Sequence, residues 1–298
     1  MNKLTTEKRS AVLRCLVEGS SIRSTCRMTG VSKKAVTKLL MDLGQVCADY
    51  QDRTFRNLKL ARLQCDEIWA FCGCKDKNVK PEIRGIYGRG DIWTWTAIDA
   101  ETKLIPCWHV GLRNAQDADV FISDLASRLL GTPQITTDGL KVYVSAIKQS
   151  FGDMVDYAAL IKLYGAPEPG NAARYSPSRI VGTEMQRISG EPDPEHVSTS
   201  YVERANLSMR MGMRRFTRLT NGFSKKAENH EAAVAVYFMH YNFVRIHQTL
   251  RVTPAMAAGV TDHVWEIEDV IELLNAAERQ AVADGDLKRG NYKPRNSK

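Results

Sequence analysis

Apolar residues recur at helical spacing in the first 45 residues of the chain. In residues 5–18 the apolar positions predict a first helix, which Thr5 or Thr6 can cap and Gly19 can end. Ser20 and Ser21 precede a short second helix that ends at Gly30, and Ser32 precedes a third helix that we expect to end at Gly44. The pattern of helix, short helix, turn and helix is typical of a helix-turn-helix unit, in which Val31 packs beneath the turn.

The pattern changes near residue 63 to short apolar runs that are typical of strands. Residues 63–74 form a strand with acids at its centre, and residues 91–111 alternate as a hairpin does. A helix, a fourth strand, a second helix and a fifth strand follow in the ranges 117–130, 134–139, 142–151 and 156–165. We therefore expect an α/β fold: an RNase H-like mixed five-stranded sheet with flanking helices, preceded by an all-α helix-turn-helix domain.

The amino-acid composition is that of a basic globular protein with an ordinary content of hydrophobic and charged residues. It has 298 residues, 43% hydrophobic and 26% charged, and a net charge of +8. No apolar run approaches the roughly 18 to 20 residues of a membrane span, and the first ten residues lack the apolar stretch of a secretory signal. We expect a cytoplasmic protein that has no membrane partner.

The positive charge is concentrated in two regions. Residues 1–62 contain 13 Lys and Arg against five Asp and Glu, and residues 204–226 form a second basic block. Such clusters favour contact with nucleic acid over an inert basic surface. In the first region the exposed face of the third helix would be the DNA-contacting one; its residues are Ser32, Lys33, Lys34, Thr37 and Lys38. The alternative is a three-helix packing unit that contacts no DNA.

Three acidic residues lie in distant segments of the sequence that the expected fold brings together. Asp66 lies inside the first strand, Asp138 ends the fourth, and Glu203 lies in a strongly helical stretch. An acid inside an apolar strand is costly to bury without a partner. Clustered carboxylates also repel one another unless a cation neutralises them, and Mg²⁺ or Mn²⁺ prefers such oxygen ligands. Each acid alone has a simpler interpretation as a turn or surface residue, so the prediction depends on the three together.

Three sequence blocks resemble a known family. CDEIWAF, TTDGLKVY and YVERANLSMRMGMRRFTRLTNGFSKK are similar to the DDE transposases of bacterial insertion sequences, especially the family of insertion sequence one. The resemblance covers about residues 60–255. It implies that Asp66, Asp138 and Glu203 bind two Mg²⁺ (or Mn²⁺) ions.

The same resemblance implies the reaction and its partners. The ions would serve to cut the ends of a mobile element and join them to target DNA. The expected partner is double-stranded DNA, both terminal inverted repeats and target, and two DNA ends imply at least a homodimer. A basic residue seven positions after the glutamate recurs in the superfamily and corresponds to Arg210. From the second basic block we expect Arg214 and Arg215 as further DNA contacts.

These expectations divide the chain into four parts. They are a helix-turn-helix DNA-binding domain (1–46), a linker (47–62), an RNase H-like catalytic domain (63–258) with a Pro/Gly-rich insertion at about 165–198, and a C-terminal helix with a basic tail (259–298). Two other functions remain open. One is a structure-specific RNase H-like nuclease or resolvase, and the other is a DNA-binding regulator with an inactive catalytic core.

Overall fold

The N-terminal region consists of three helices at the positions that the sequence predicts. A computed structural model describes residues 3–153, 155–165, 179–217 and 220–284. The helices are α1 (Thr6–Val17), α2 (Ile22–Thr29) and α3 (Lys33–Thr54). The side chains of Thr5, Ser21 and Ser32 accept hydrogen bonds from the backbone N–H groups of Lys8, Ser24 and Ala35 and so cap the three helices.

The third helix does not end at Gly44 as predicted but continues for ten more residues. A Cβ on Gly44 would lie 2.4 Å from Cβ of Ala232, which belongs to helix α7 (Ala227–Met239). Gly44 therefore permits close packing of two helices, whereas Gly30 (φ +68°) takes the left-handed conformation of a helix end. The predicted linker begins as part of α3, and Phe55, which follows that helix, is fully buried.

Six strands form one mixed sheet within the described part of the chain. The order across the sheet is β3-β2-β1-β4-β5-β6. β1, β2 and β3 pair antiparallel, β4 and β5 run parallel to β1, and β6 pairs antiparallel with β5. The strands are β1 (Arg62–Cys72), β2 (Gly90–Asp99), β3 (Cys107–Gly111), β4 (Gln134–Thr137), β5 (Tyr157–Tyr164) and β6 (Ile180–Ser189).

The sixth strand corrects the prediction of a five-stranded sheet. β6 lies inside the segment predicted as an insertion, of which residues 166–178 fall outside the described residues. It is an edge strand, and most of its side chains are exposed on both faces. Its sequence therefore lacks the alternation of apolar and polar residues by which a strand is recognised. The surrounding proline and glycine residues favoured a loop instead.

Helices cover both faces of the sheet. α4 (Ala115–Arg128) and α5 (Val142–Phe151) join one hydrophobic core, which also contains side chains of α1 and α3. α6 (Ser200–Gly212) packs in a second core on the other face, and α7 contributes to both. The described helices are completed by a single π-helical segment (His240–Val244), α8 (Pro254–Ala257) and α9 (Ile267–Ala283).

The C-terminal helix packs against the N-terminal unit. Arg9 of α1 donates hydrogen bonds to Asn275 (2.9 Å) and Glu278 (2.8 Å) of α9, and Arg14 pairs with Glu268 at 2.7 Å. The three N-terminal helices are thus packed against the rest of the molecule. The predicted basic tail lies outside the described residues. No helix in the described ranges is both long and apolar enough to cross a membrane.

Candidate metal centre

Two of the three predicted acids meet at the centre of the sheet. Cys65 of β1 pairs in parallel with Thr137 of β4, so the next residues, Asp66 and Asp138, lie side by side. Glu67 completes the group: one carboxylate oxygen from each of the three residues lies within 4.8 Å of the others. This is the single cluster of potential metal ligands among the described residues.

Asp66 is the least compensated member of the cluster. Burial raises its pKa to about 7, and the charges of Glu67 and Asp138 add to that rise. The described residues offer Asp66 no ion pair; its Oδ2 accepts a hydrogen bond from Nδ2 of Asn206 at 2.8 Å. Oδ1 of Asn206 is itself buried and has no hydrogen-bond partner in the described part of the chain. Closely spaced oxygen ligands with an uncompensated negative charge suit a hard divalent cation.

Glu67, unlike Asp66, forms an ion pair with a basic side chain. Its Oε1 accepts a hydrogen bond from Nε of Arg113 at 2.6 Å, its Oε2 accepts one from the hydroxyl of Tyr143 at 3.1 Å, and only 1% of its side chain is exposed. Burial and Asp138 raise the Glu67 pKa, while Arg113 opposes that rise. The guanidinium of Arg113 also lies over the ring of Trp93 and 3.9 Å from Oδ2 of Asp138. Glu67 therefore serves to hold Arg113 beside the cluster.

Glu203 is placed near the cluster but is not part of it. The backbone N–H groups of Tyr201 and Val202 donate to Oε1 of Gln64 in β1, at 2.8 and 3.2 Å, which fixes the start of α6 over the sheet. Glu203 lies one helical turn before Asn206 and on the same helix face. Its carboxylate forms an ion pair with Lys162 of β5 and accepts a hydrogen bond from the Thr199 hydroxyl at 2.6 Å.

The predicted DNA contacts on the third helix lie at the surface. Ser32, Lys33, Lys34 and Lys38 are exposed and Thr37 is half-buried. Lys38 pairs with Asp42 at 2.5 Å, whereas no ion pair forms at Lys33 or Lys34 among the described residues. The free ammonium groups are thus at the beginning of α3.

The predicted contacts after Glu203 differ from one another in exposure. Arg214 is exposed, and Arg210 is half-buried on α6. Arg215 points into the molecule, where its Nη1 donates to the hydroxyl of Ser224 at 2.9 Å and burial lowers its pKa to about 10. Arg215 is therefore held in place by Ser224, whereas Arg214 is a surface cation.

Comparison with known proteins assigns no family: no protein-family model matches the chain, and no curated protein matches it.

The structure also adds residues that sequence reasoning missed. Asn206, Lys162 and Arg113 contact the predicted acids Asp66, Glu203 and Asp138, and Glu67 lies within 4.8 Å of Asp66 and Asp138. The sequence does contain a signal for Glu67. Consecutive side chains of a strand point to opposite faces, so two adjacent acids inside an apolar strand each need a partner of their own. The partners come from β5, α6 and the residues after β3, which no sequence spacing connects to β1.

Proposed function

We propose that the protein is a DNA transposase that binds the terminal inverted repeats of an insertion sequence and performs metal-dependent strand cleavage and strand transfer. The observation that carries this proposal is the meeting of Asp66 and Asp138 from β1 and β4, with the pKa of Asp66 raised to about 7. A buried acid with a strongly perturbed pKa beside a second acid is typical of a functional site.

The fold supports the proposal. Three antiparallel strands followed by two parallel ones, in the order β3-β2-β1-β4-β5, form the arrangement expected of an RNase H-like domain. Ligands of an α/β sheet bind at the carboxyl ends of parallel strands, and Asp138 directly follows β4.

The proposed cofactor is Mg²⁺ or Mn²⁺, held by Asp66 and Asp138. Two such ions would activate an attacking oxygen and stabilise a leaving oxygen in phosphodiester chemistry. The chain's own groups position the site: Asn206 fixes Asp66 by a hydrogen bond, and the Glu67–Arg113 pair places a cation 3.9 Å from Asp138. Glu203, which is paired with Lys162, would supply a third oxygen ligand from α6.

The N-terminal unit would hold the DNA. α3 presents exposed Lys33 and Lys34 at its beginning, next to a capping serine. Such lysines contact phosphates and fix the position of a DNA-binding unit on the duplex. Because two ends of an element must be joined together, the proposed assembly on DNA is a homodimer or larger.

Strand transfer in vitro tests this function. The substrate is DNA ending in the inverted repeats that flank the coding region, with Mg²⁺ and a target duplex. We expect joined products from the wild-type protein and none from Asp138→Ala, while Asp153→Ala, which removes an exposed acid away from the cluster, retains activity.

The same assay separates the two alternatives. Cleavage of branched DNA without preference for the repeats would support a resolvase. Binding to the repeats without cleavage by the wild-type protein would support an inactive regulator. If Asp138→Ala joined DNA as well as the wild-type protein does, the assignment of the metal centre would be wrong.

A further inference from the structure

A basic cleft lies between the N-terminal helices and the segment that follows α6. Its volume is about 880 Å³, and its walls come from the beginnings of α2 and α3 on one side and from residues within 213–215 and 221–237 on the other. No Asp or Glu is among the described residues that line it. Six cations do line it: Arg23, Lys33, Arg214, Arg215, Lys225 and Lys226.

None of these cations forms an ion pair within the described residues. Arg215 donates to Ser224, and the ammonium group of Lys225 lies over the ring of Phe223. The other four, Arg23, Lys33, Arg214 and Lys226, are exposed and form no ion pair within the described residues. Like charges gathered in a concave surface attract a polyanion, since their fields add within the cleft.

Close glycine contacts fix the two walls relative to each other. A Cβ on Gly19, in the turn between α1 and α2, would lie 3.0 Å from the carbonyl oxygen of Met211 near the end of α6. A Cβ on Gly222 would lie 2.8 Å from Cγ of Arg214, so the segment after α6 folds back tightly on itself. The cleft is therefore a packed feature of the fold, and its two groups of cations keep a set spacing.

We propose that this cleft binds the sugar-phosphate backbone of a single DNA duplex, so that the beginning of α3 and the segment after α6 contact neighbouring phosphates. The two basic regions, separate in sequence, would form one DNA contact. This inference rests on the proposed function and deepens it. Around the cations the lining offers serine hydroxyls and asparagine amides, which donate hydrogen bonds to phosphate oxygens and carry little base specificity.

The cleft also sets a distance along the DNA. Asn206, which contacts Asp66, and Met213 lie seven residues apart, from the middle of α6 to just after its end, which corresponds to about 10 Å along a helix. At about 3.4 Å per nucleotide, phosphates in the cleft would be roughly three nucleotides from a phosphodiester held at Asp66 and Asp138.

Salt-dependent binding tests the cleft without requiring catalysis. The full chain is titrated with a duplex of about three helical turns (about 30 base pairs) in chelator. We expect Lys33→Ala and Lys226→Ala each to reduce the slope of log K against log salt concentration by about one. Lys226→Arg should restore the slope. Lys59→Ala is the matched control, because Lys59 is also exposed but does not line the cleft, and it should keep the wild-type slope.

Neutralising single phosphates shows whether there is one contact or two. A methylphosphonate at a phosphate that Lys33 contacts should weaken wild-type binding but not weaken Lys33→Ala further, and the same holds for Lys226. The phosphates identified by the two lysines should lie within about three nucleotides of each other. Positions a helical turn or more apart, about 10 base pairs, would overturn the inference, as would unchanged salt slopes or no duplex binding by the wild-type protein.

Two further outcomes separate this inference from the proposed function. Reduced slopes and adjacent phosphates, together with no strand transfer, would uphold the cleft and remove the transposase proposal. Strand transfer together with unchanged salt slopes would uphold the transposase proposal and overturn the inference about the cleft. Displacement of DNA by millimolar inorganic phosphate at constant ionic strength would show a site for a small anion and would also overturn the inference.

Discussion

Asp66→Asn should make the metal-free protein more stable at neutral and alkaline pH. The change removes a carboxylate whose pKa rises from 3.8 to about 7 in the folded protein, chiefly through burial and then through Glu67 and Asp138. A difference of about 3 in pKa corresponds to about 4 kcal/mol. Asp66 is not fully buried, and solvent screens part of this effect, so we expect a gain of about 2 to 4 kcal/mol at pH 8.

The direction of the pH dependence follows from proton binding. Between pH 4 and pH 7 the folded protein keeps a proton on Asp66 that the unfolded chain has lost, so the free energy of unfolding of the wild-type protein falls as the pH rises. Below about pH 4 the carboxyl is protonated in both states and this contribution vanishes. The difference between Asp66→Asn and wild type should therefore be smallest near pH 4 and largest above pH 7.

Urea unfolding in chelator, at intervals from pH 4 to pH 8, measures this difference. Mn²⁺ should then remove most of this difference, because an ion that binds the folded wild-type protein at 100 times its Kd stabilises it by about 2.7 kcal/mol, while the variant gains much less. Asp153→Asn, an exposed acid, is the control. A variant that is no more stable than wild type at pH 8, or a difference that does not change with pH, would refute the electrostatic argument for Asp66.

Three further changes test other parts of the structure. Gly44→Ala should lower the free energy of unfolding by about 2 kcal/mol, because the clash with Ala232 exceeds the gain in helix propensity. Adding Ala232→Gly to this variant should restore most of the stability measured by urea unfolding. If Gly44→Ala alone were as stable as the wild-type protein, the close contact would be disproved. Arg113→Ala should lower the free energy of unfolding by about 3 to 5 kcal/mol, because Glu67 would stay buried without its cation. Glu67→Gln in that background should restore part of this loss, whereas effects of the two changes that simply add would argue against the pair. Lys34→Ala should weaken duplex binding and reduce its salt slope by about one without changing the urea midpoint, and an unchanged slope would remove Lys34 from the DNA surface.

Much of the fold follows from local sequence signals. The capping residues of the first three helices and the alternation of the second strand place those elements correctly, because both signals arise within the element itself. Gly44 shows the limit of such reasoning. A glycine in a helical pattern can end the helix or admit a neighbouring helix, and only the position of Ala232 decides between the two.

The candidate site is predictable only as far as the strands determine it. Asp66 and Asp138 converge because parallel pairing of the first and fourth strands brings them together. The side-chain partners of Glu67 and Glu203 depend on how loops and helices pack onto the sheet. The sequence therefore predicts an acidic centre but neither the arginine beside it nor the lysine that holds Glu203.

Replacing one non-bridging oxygen of the scissile phosphate by sulfur tests the metal centre at Asp66 and Asp138 directly. A hard Mg²⁺ ion held by Asp66 and Asp138 contacts oxygen well and sulfur poorly, whereas Mn²⁺ tolerates the softer ligand. We predict that the wild-type protein fails to cut the sulfur-substituted DNA in Mg²⁺, cuts it when Mn²⁺ is supplied, and that Asp138→Asn cuts it in neither. Equal cleavage of both substrates in Mg²⁺, or Mn²⁺-dependent cleavage that survives Asp138→Asn, would contradict a metal centre at these residues.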